Sequence, residues 1–420
     1  MIIATNIALI IIALIILIYI LERDLGLFLL SFIILLQYIW MFCSILVIEN
    51  GIYINEQGRN GYFVYSGFIL LLFYVTSLLS LIFYKKTFGT LFKKTPSFKF
   101  KIGELKDINI ASILIGTILG IAYFNLFNSP IPLFSEEVTK FNFWEHAKYP
   151  FLKSIIGNVI AFAGFGAALL YRFKKRTSIF YLTLYLGYLI LMDQKFTGFL
   201  IAIYGILVAL YFSSNVRVQF KLKWILNKYL ITIVIALFCL VYYKYSVKEP
   251  FKYMGLTPLE SVFYRAFGLQ AHVFWGTTEH YIYNGTPNTW NLSELWKGMH
   301  VLMREFWPWS YEAYVSVTTR GVSWTNAYPS ILLRIFPLPI ALLVNMLLLS
   351  VVGFFQSLLA TFIERRSFVL SIVFFQLLMW VSYAYTMAYF NKLIIPFILL
   401  FALSFFTFLI NKTRKNESEN

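Results

Sequence analysis

The stretch from residue 263 to residue 285, FYRAFGLQAHVFWGTTEHYIYNG, concentrates cationic and acid–base side chains in a chain that is 60% hydrophobic. Arginine presents a planar fork of donors that matches the oxygens of a phosphate or diphosphate. A histidine or glutamate with a pKa near neutrality can take a proton from a hydroxyl group. The candidate catalytic residues are therefore Arg265, His272 and Glu279, with His280 beside them.

Four further cations are candidates for holding a diphosphate: Arg304, Arg320, Arg334 and Lys195. Lys195 lies in MDQKFTG, a bend between two short apolar runs. Plainer interpretations stay open for two of the arginines. Arg304 could anchor a helix to anionic lipid headgroups, and Arg334 could extend from the mouth of an apolar run to the membrane interface.

Neither a metal site nor a cofactor is expected. His272 and His280 lack the spacing of helical metal ligands and have no carboxylate cluster beside them. The two cysteines, Cys43 and Cys239, both lie in apolar runs and form no metal-binding motif. For Arg265 and His272, a solvated helix face is the plainer alternative to a catalytic role.

A helix over TPLESVFYRAFGLQAHVFWG is predicted to position the first candidates. Thr257, Pro258 and Glu260 form a capping box with proline at the first helical position, and Gly276 is the expected terminator. The helical period places Ser261, Arg265, Gly268 and His272 on one face. Arg265 and His272 would then lie about 10 Å apart, with an opening for a ligand at Gly268 between them.

A second helix is predicted over NLSELWKGMHVLMREFWPW, beginning with a cap from Asn291 and Glu294 and ending at Pro308. Its apolar face comprises Leu292, Leu295, Trp296, Met299, Leu302, Met303 and Phe306. Lys297, His300 and Arg304 form a cationic flank, as in interfacial helices. His300 and the later Glu312 are the next candidates for a base.

The surrounding sequence is that of a polytopic α-helical membrane protein. The mean hydropathy is +0.74, and many apolar runs approach the roughly 20 residues that cross a bilayer as a helix. Because Ile2–Leu21 lacks a basic region and a cleavage site, we expect it to stay in the mature chain. The predicted spans are 2–21, 25–48, 62–84, 108–127, 151–171, 178–192, 197–212, 229–246, 336–361, 368–389 and 393–411.

After the short loop Glu22–Asp24, every second connection between these eleven spans is basic, including YRFKKRT, VRVQFKLKWILNK and ERRS. Basic loops remain in the cytoplasm. The pattern predicts one membrane domain over 1–420 with a non-cytoplasmic N-terminus, a cytoplasmic C-terminus and a large outer segment at 247–335 of interfacial helices. Topology thus accounts for most of the net charge of +16, and no nucleic-acid partner is expected.

An outer site with arginines, a carboxylate or imidazole, and many aromatic rings suits one reaction in particular. Aromatic faces stack on sugars, arginines bind a diphosphate, and a base activates an acceptor hydroxyl. This combination of aromatic rings, arginines and a base favours glycosyl transfer from a polyprenyl-diphosphate donor.

The chain resembles the Wzy-type oligosaccharide repeat-unit polymerases, or O-antigen polymerases, over nearly its full length. NSPIPLFSEEVTKFNFWE, residues 128–145, resembles an outer loop of that family, and YRAFGLQAHVFWG, residues 264–276, resembles its arginine-containing stretch. The resemblance implies a GT-C-like fold, undecaprenyl-diphosphate-linked glycan substrates, the periplasmic face of a bacterial inner membrane and a metal-independent glycosyltransferase. It matches Arg265 to a functional arginine and leaves the base open. Membrane lipids and a chain-length regulator protein are further expected partners.

Two other functions use a similar chain. An O-antigen ligase would employ the same side chains with a different acceptor. A lipid-linked oligosaccharide flippase, which is not an enzyme, would carry cations within its spans and only short outer loops. The long outer segment and the nearly uncharged spans favour a polymerase.

Overall fold

A computed structural model describes residues 2–51, 65–94, 104–135, 137–140, 142–194, 196–213, 228–248, 255–307, 311–312, 314–315 and 326–402. Across these residues the regular structure is helical, and they contain no strand. The predicted all-α class is therefore confirmed.

Within the described residues, nine helices lie before residue 249. Their bounds are α1 Ile2–Arg23, α2 Leu25–Ile48, α3 Ser66–Lys94, α4 Glu104–Phe127, α5 Phe143–His146, α6 Lys153–Leu170, α7 Lys175–Leu191, α8 Phe196–Ser213 and α9 Lys228–Lys248. The later helices are α10 Pro258–Phe263, α11 His272–Thr278, α12 Ser293–Lys297, α13 Met299–Phe306, α14 Ser330–Ile335, α15 Leu338–Glu364, α16 Phe368–Thr386 and α17 394–402.

Six of the described helices are long and apolar enough to cross a membrane: α1, α2, α3, α4, α15 and α16. Shorter apolar helices cover Ile160–Leu170, Gly198–Ser213 and Phe390–Ala402. The chain is thus a multi-pass membrane protein, as its hydropathy predicts. The two other predicted spans, 178–192 and 229–246, fall almost entirely on α7 and α9.

The chain divides into two compact units. The first comprises Met1–Phe88, Phe238–Phe354 and Met379–Asn420, and the second comprises Gly89–Leu237 and Phe355–Leu378. Most candidate site residues belong to the first unit, which contains the described helices from α10 to α14.

In the first unit, a buried hydrogen-bond network holds the chain segment that precedes α14. The Asn345 side-chain oxygen accepts from the hydroxyls of Tyr328 and Tyr385, and its nitrogen donates to Ser77 at 3.1 Å. Gln37 donates to the Tyr328 carbonyl at 2.8 Å. Because buried polar groups need partners, this network fixes Tyr328 against α2, α3, α15 and α16, and with it the start of α14.

In the second unit, aromatic packing and one capping carboxylate organise the helices. The rings of Phe165 on α6 and Phe375 on α16 are parallel, with centroids 4.1 Å apart. The buried Asp107 of α4 accepts the backbone N–H of Phe368 at 2.5 Å, at the first residue of α16. A carboxylate at a helix N-terminus is favoured by the helix dipole.

The predicted helix over 257–276 is wrong as a single element. Its start is confirmed, since Thr257 and Glu260 form the reciprocal capping box with Pro258 at N1. The chain then passes through a π-helical turn, Tyr264–Gly268, bends at 269–271 and begins α11 at His272. The bend is stabilised by tertiary contacts, because the Ala271 N–H donates to Ser44 at 3.0 Å instead of continuing a helix.

Two consequences follow for that predicted helix. Gly276 does not end it, because α11 continues to Thr278 and a second π-helical turn reaches Tyr283. The expected polar face is also absent: Ser261 and His272 are buried, whereas Arg265 is exposed. The opening predicted at Gly268 is covered by the ring of Tyr264, which lies 3.6 Å from where a Cβ would be.

The second predicted helix is interrupted at Gly298, which separates α12 from α13 with φ of +55°. A Cβ at this position would overlap the carbonyl of Ala388, so glycine is required on two grounds. The start is held by Asn291, whose side chain accepts from the Ser293 N–H at 3.1 Å. Glu294 does not complete that cap, because its carboxylate accepts from Thr289 and Arg334 instead.

Candidate functional site

One side of α13 contributes to a compact group of charged and polar residues that we call the arginine cluster: Arg334, Glu294, Glu305, Tyr281 and His280. The Arg334 Nε donates to Glu294 Oε2 at 2.8 Å, and Nη2 donates to Glu294 Oε1 at 3.3 Å. Its Nη1 donates to the Tyr281 hydroxyl at 2.8 Å and also contacts Glu305 Oε2. The guanidinium therefore has acceptors on both of its edges.

The elements around the cluster explain why this arginine can be buried. The extended segment before α12 hydrogen-bonds to the end of α14, with the N–H of Thr289 donating to the Arg334 carbonyl at 3.1 Å. The next N–H, of Trp290, donates to the Ile335 carbonyl at 3.0 Å. α12 and α13 then each supply one carboxylate, so that two acidic side chains offset the charge of a guanidinium that is only 16% exposed.

Hydrogen bonds and neighbouring charges keep Arg334 charged and Tyr281 protonated at neutral pH. Burial lowers the Arg334 pKa and is the largest single effect, but the hydrogen bonds to Glu294 and Tyr281 and the electrostatic effects of these two residues together outweigh burial, so that the Arg334 pKa is raised. Burial raises the pKa of Tyr281 against the lowering effect of Arg334. Tyr281 therefore stays protonated and donates to Glu305 Oε1 at 2.9 Å.

His280 lies at the edge of the cluster and contacts the carboxylate of Glu305. Its Nδ1 lies 3.0 Å from Glu305 Oε1, and its side chain is 33% exposed. A carboxylate beside Nδ1 favours the proton on that nitrogen and leaves Nε2 as the acceptor. This is the arrangement of an oriented imidazole base, in which the carboxylate fixes both the ring and the tautomer.

An exposed flank of α12 and α13 is cationic. Lys297, His300 and Arg304 are all exposed, as the predicted cationic flank requires. The buried stripe is Met299, Leu302, Met303 and Phe306, so the second half of the predicted apolar face is confirmed. The first half is not, because Leu292 and Trp296 are more than half exposed.

Tyrosines and a lysine surround this flank, and together they form what we call the tyrosine–cation surface: His300, Arg304, Tyr311, Tyr314, Tyr389 and Lys392. The Arg304 guanidinium lies 5.6 Å from the Tyr311 ring centroid, and the Tyr314 hydroxyl donates to the His300 carbonyl at 3.1 Å. The Lys392 ammonium lies 5.1 Å from the Tyr389 ring centroid. The surface offers aromatic faces and positive charge side by side.

His300 sits within this surface as a neutral imidazole. Its ring centroid lies 5.4 Å from that of Tyr389. Burial, and then the charge of Lys392, lower the pKa of His300 below its usual value of 6.5. At neutral pH the positive charge of the surface is therefore carried by Arg304 and Lys392.

The structure separates the three residues predicted to be catalytic. His272 is 2% exposed, and its ring packs against Trp275 with centroids 5.7 Å apart. Arg265 is exposed on the π-helical turn Tyr264–Gly268. Glu279 is partly buried at the start of the π-helical turn that contains His280.

The predicted diphosphate ligands also have different environments. Arg334 is enclosed in the arginine cluster, and Arg304 is exposed on the tyrosine–cation surface. Lys195 and Arg320 lie outside the described residues. Among the residues that are described, no group of three His, Cys, Asp or Glu side chains is placed to hold a metal ion.

Sequence reasoning missed several members of these two groups. Glu305 lies within the second predicted helix, of which only the apolar face and the cationic flank were considered, and neither Tyr281 nor Lys392 was a candidate. The sequence did contain one signal for the cluster, which is charge complementarity. Glu294 and Glu305, on α12 and α13, have the opposite charge to Arg334 at the end of α14. Which of them would meet that arginine depends on the tertiary fold.

Comparison with known proteins gives one match. Residues 292–402 match the model of a family described as "Family of unknown function (DUF6418)". No curated protein and no solved structure matches the chain. The matched range contains Glu294, Glu305 and Arg334 of the arginine cluster and Arg304 and Lys392 of the tyrosine–cation surface.

Proposed function

We propose that this protein polymerises glycan repeat units carried on undecaprenyl diphosphate. It transfers the growing glycan from its lipid diphosphate to the next lipid-linked unit and acts without a metal. The observation that supports this proposal is a pair of groups that adjoin along α13: Glu305 orients the His280 imidazole, and the preceding residue, Arg304, is one of the exposed cations among tyrosines.

The proposed reaction follows from these groups. His280 Nε2 takes the proton of an acceptor hydroxyl as the new bond forms between that oxygen and the anomeric carbon. The bond from the anomeric carbon to the diphosphate breaks, and the diphosphate leaves with the bonding electrons. Arg304 and Lys392 offset its growing negative charge, and the neighbouring tyrosines stack on sugar rings.

We assign the base to His280 rather than to His272 or Glu279. His280 combines partial exposure with a carboxylate at Nδ1, whereas His272 is enclosed. Arg265 stays in the proposal as an exposed arginine that can bind phosphate oxygens. Arg334 has a different role, because its donors are directed at Glu294, Tyr281 and Glu305, and it holds α12, α13 and α14 together.

The topology that accompanies this function has eleven spans in a GT-C-like membrane domain: α1–α4, α6–α9 and α15–α17. The N-terminus is periplasmic, the C-terminus is cytoplasmic, and the 247–335 segment lies on the periplasmic face of a bacterial inner membrane.

Trp290→Cys and Lys175→Cys, each in a background without Cys43 and Cys239, test this arrangement because both positions are exposed. An impermeant thiol reagent should label position 290 in intact cells and position 175 only after permeabilisation. Labelling of position 175 in intact cells would contradict it.

Glycan length in a deletion strain tests the function itself. The strain should carry one repeat unit per lipid, and the native gene should restore long polymer. Undelivered polymer would indicate a ligase, and units retained inside the cell would indicate a flippase.

The matched variants His280→Ala and His146→Ala then test the base. Removing a base costs about 10²–10⁴ in rate, so His280→Ala should give single-unit product at normal protein level. His146 is exposed in the other unit, and its alanine variant should give full-length polymer. Long polymer from His280→Ala would show that the base lies elsewhere.

Arg265 has its own test. Arg265→Ala should abolish polymer without lowering the amount of protein, because the side chain is exposed. Arg265→Lys should restore little, since lysine offers a point charge in place of the guanidinium fork. Full chain length from the lysine variant would assign Arg265 a general electrostatic role.

A further inference from the structure

The second unit contains a cavity of about 170 Å³ at the shared end of four apolar helices. It lies where α6 and α8 end and where α15 is followed by α16. Its lining residues are Leu169, Arg172, Phe173, Phe212, Ser213, Ile363, Glu364, Arg366, Phe368 and Ser371. None of them belongs to the arginine cluster or the tyrosine–cation surface.

The cavity combines an apolar wall with two guanidinium groups. Leu169, Phe212 and Ile363 contribute hydrocarbon, and the rings of Phe173 and Phe368 meet edge to face with centroids 5.2 Å apart. Arg172 follows the end of α6, and Arg366 lies in the turn between α15 and α16. Both arginines are exposed, so their charge is presented at the mouth of an apolar space.

Local contacts fix where the positive charge is directed. The Arg172 Nη1 donates to the carbonyl of Ser213, the last residue of α8, at 3.2 Å. Arg365 donates to the Phe92 carbonyl at 2.8 Å and is not among the lining residues. The N-terminus of α16 is capped by Asp107. An anion in this cavity would therefore be recognised by Arg172 and Arg366 rather than by the helix dipole.

The volume decides between kinds of ligand. Sites that enclose a whole drug-sized molecule span about 300–1,000 Å³, so this cavity is too small for a nucleotide or an oligosaccharide. It can accept a phosphate and a few attached carbons, with the remainder of the ligand outside. Basic pockets between membrane helices on the cytoplasmic side bind lipid headgroups in this way.

We propose that this cavity binds the phosphate headgroup of an anionic phospholipid, with Arg172 and Arg366 on the phosphate and the acyl chains along the neighbouring helices. Exposed Lys175 and Arg176 add to the positive charge around the mouth. Glu364 is the one carboxylate in the lining and opposes binding. The proposal does not depend on the polymerase function, because it concerns a different unit and different residues.

Native mass spectrometry of the purified full chain with added phosphatidylglycerol tests the site, and phosphatidylcholine serves as the zwitterionic comparison. A basic side chain near an anionic lipid contributes roughly fivefold in affinity. The double variant Arg172→Gln/Arg366→Gln should therefore lose about 25-fold in affinity for phosphatidylglycerol. Arg23→Gln/Lys86→Gln removes two exposed charges from the other unit and should leave binding unchanged. Equal losses in the two double variants would overturn the proposal.

A second variant keeps the test informative if the double variant fails to fold. Glu364 is exposed, so Glu364→Gln should fold, and it should strengthen phosphatidylglycerol binding about fivefold by removing a like charge. Unchanged binding would place the lipid outside the cavity and contradict the proposal. Competition with soluble glycerol phosphate separates the two sources of phosphate, because displacement of the lipid by this ion would make the cavity a free-phosphate site.

Discussion

Arg334 and Arg304 show how the same side chain takes opposite roles around one short helix. Arg334 is enclosed at 16% exposure with two carboxylates and a tyrosine as acceptors. Arg304 is exposed, and its guanidinium lies over the Tyr311 ring. A buried guanidinium needs its charge and hydrogen bonds satisfied inside the protein, whereas an exposed one can exchange water for a ligand. The comparison indicates an architectural role for Arg334 and, within the proposed function, a ligand-binding role for Arg304.

The largest expected effect tests the architectural side of this comparison. Arg334→Ala would leave the carboxylates of Glu294 and Glu305 buried without their cation, and breaking such a group costs about 3–5 kcal/mol. Arg304→Ala should change the free energy of unfolding by less than about 0.5 kcal/mol, as is usual for surface positions. Reversible unfolding of the purified variants in detergent measures both values. Similar losses for the two variants would remove the distinction between the groups.

Gly298 offers the next largest effect, because it places α13 between the two groups. A Cβ there would meet the Ala388 carbonyl in addition to the strain of a left-handed φ of +55°. Gly285 provides a control in the same segment, since its φ is +65° but a Cβ would meet nothing within 4 Å.

The two glycine variants therefore separate strain from overlap. Gly285→Ala should cost about 1–2 kcal/mol from backbone strain alone. Gly298→Ala should cost about 1–3 kcal/mol more, because the overlap forces α13 away from Ala388. Equal costs for the two variants would mean that the contact with Ala388 does not constrain α13.

The ligand-binding side of the comparison is tested by activity. If the tyrosine–cation surface holds the leaving diphosphate, Arg304→Ala should slow polymer formation about tenfold or more, since a charge-assisted hydrogen bond contributes about 1.5–3 kcal/mol. The stability of this variant should stay near that of the native protein. Tyr311 belongs to the same surface, and Tyr311→Phe keeps the ring that Arg304 lies over, so this variant is the matched control and should be near neutral. Normal polymer from Arg304→Ala would exclude this arginine from the site.

The sequence predicted the features that depend on neighbouring residues. The capping box of Thr257 and Glu260 requires only residues three positions apart, and the structure contains it. The exposed flank of Lys297, His300 and Arg304 follows from helical period, and it is present on α12 and α13. Hydropathy likewise predicted a multi-pass protein, because an apolar run of sufficient length has few other stable environments.

Features that depend on distant residues were not predictable in the same way. The bend that separates Arg265 from His272 is stabilised by Ser44, which lies 227 positions from Ala271. Arg334 is paired with Glu294, 40 positions earlier, because the segment before α12 hydrogen-bonds to the end of α14. The helical period predicts a continuous helix through the bend at Ala271, because the period contains no information about which distant residue competes for the backbone.

The smallest expected effect is a pH dependence of the unfolding free energy. It arises from the protonation of His300, which belongs to the tyrosine–cation surface and not to the arginine cluster. Burial and the Lys392 charge lower the His300 pKa, so the folded protein binds this proton less tightly than the unfolded chain. The stabilisation is present above the usual value of 6.5 and is lost as the pH falls through the lowered pKa. Lys392→Gln should therefore raise the His300 pKa and reduce the dependence of unfolding free energy on pH, with Lys297→Gln as the control on the same flank. The same reduction from both lysine variants would show that His300 senses the general charge of the surface rather than Lys392.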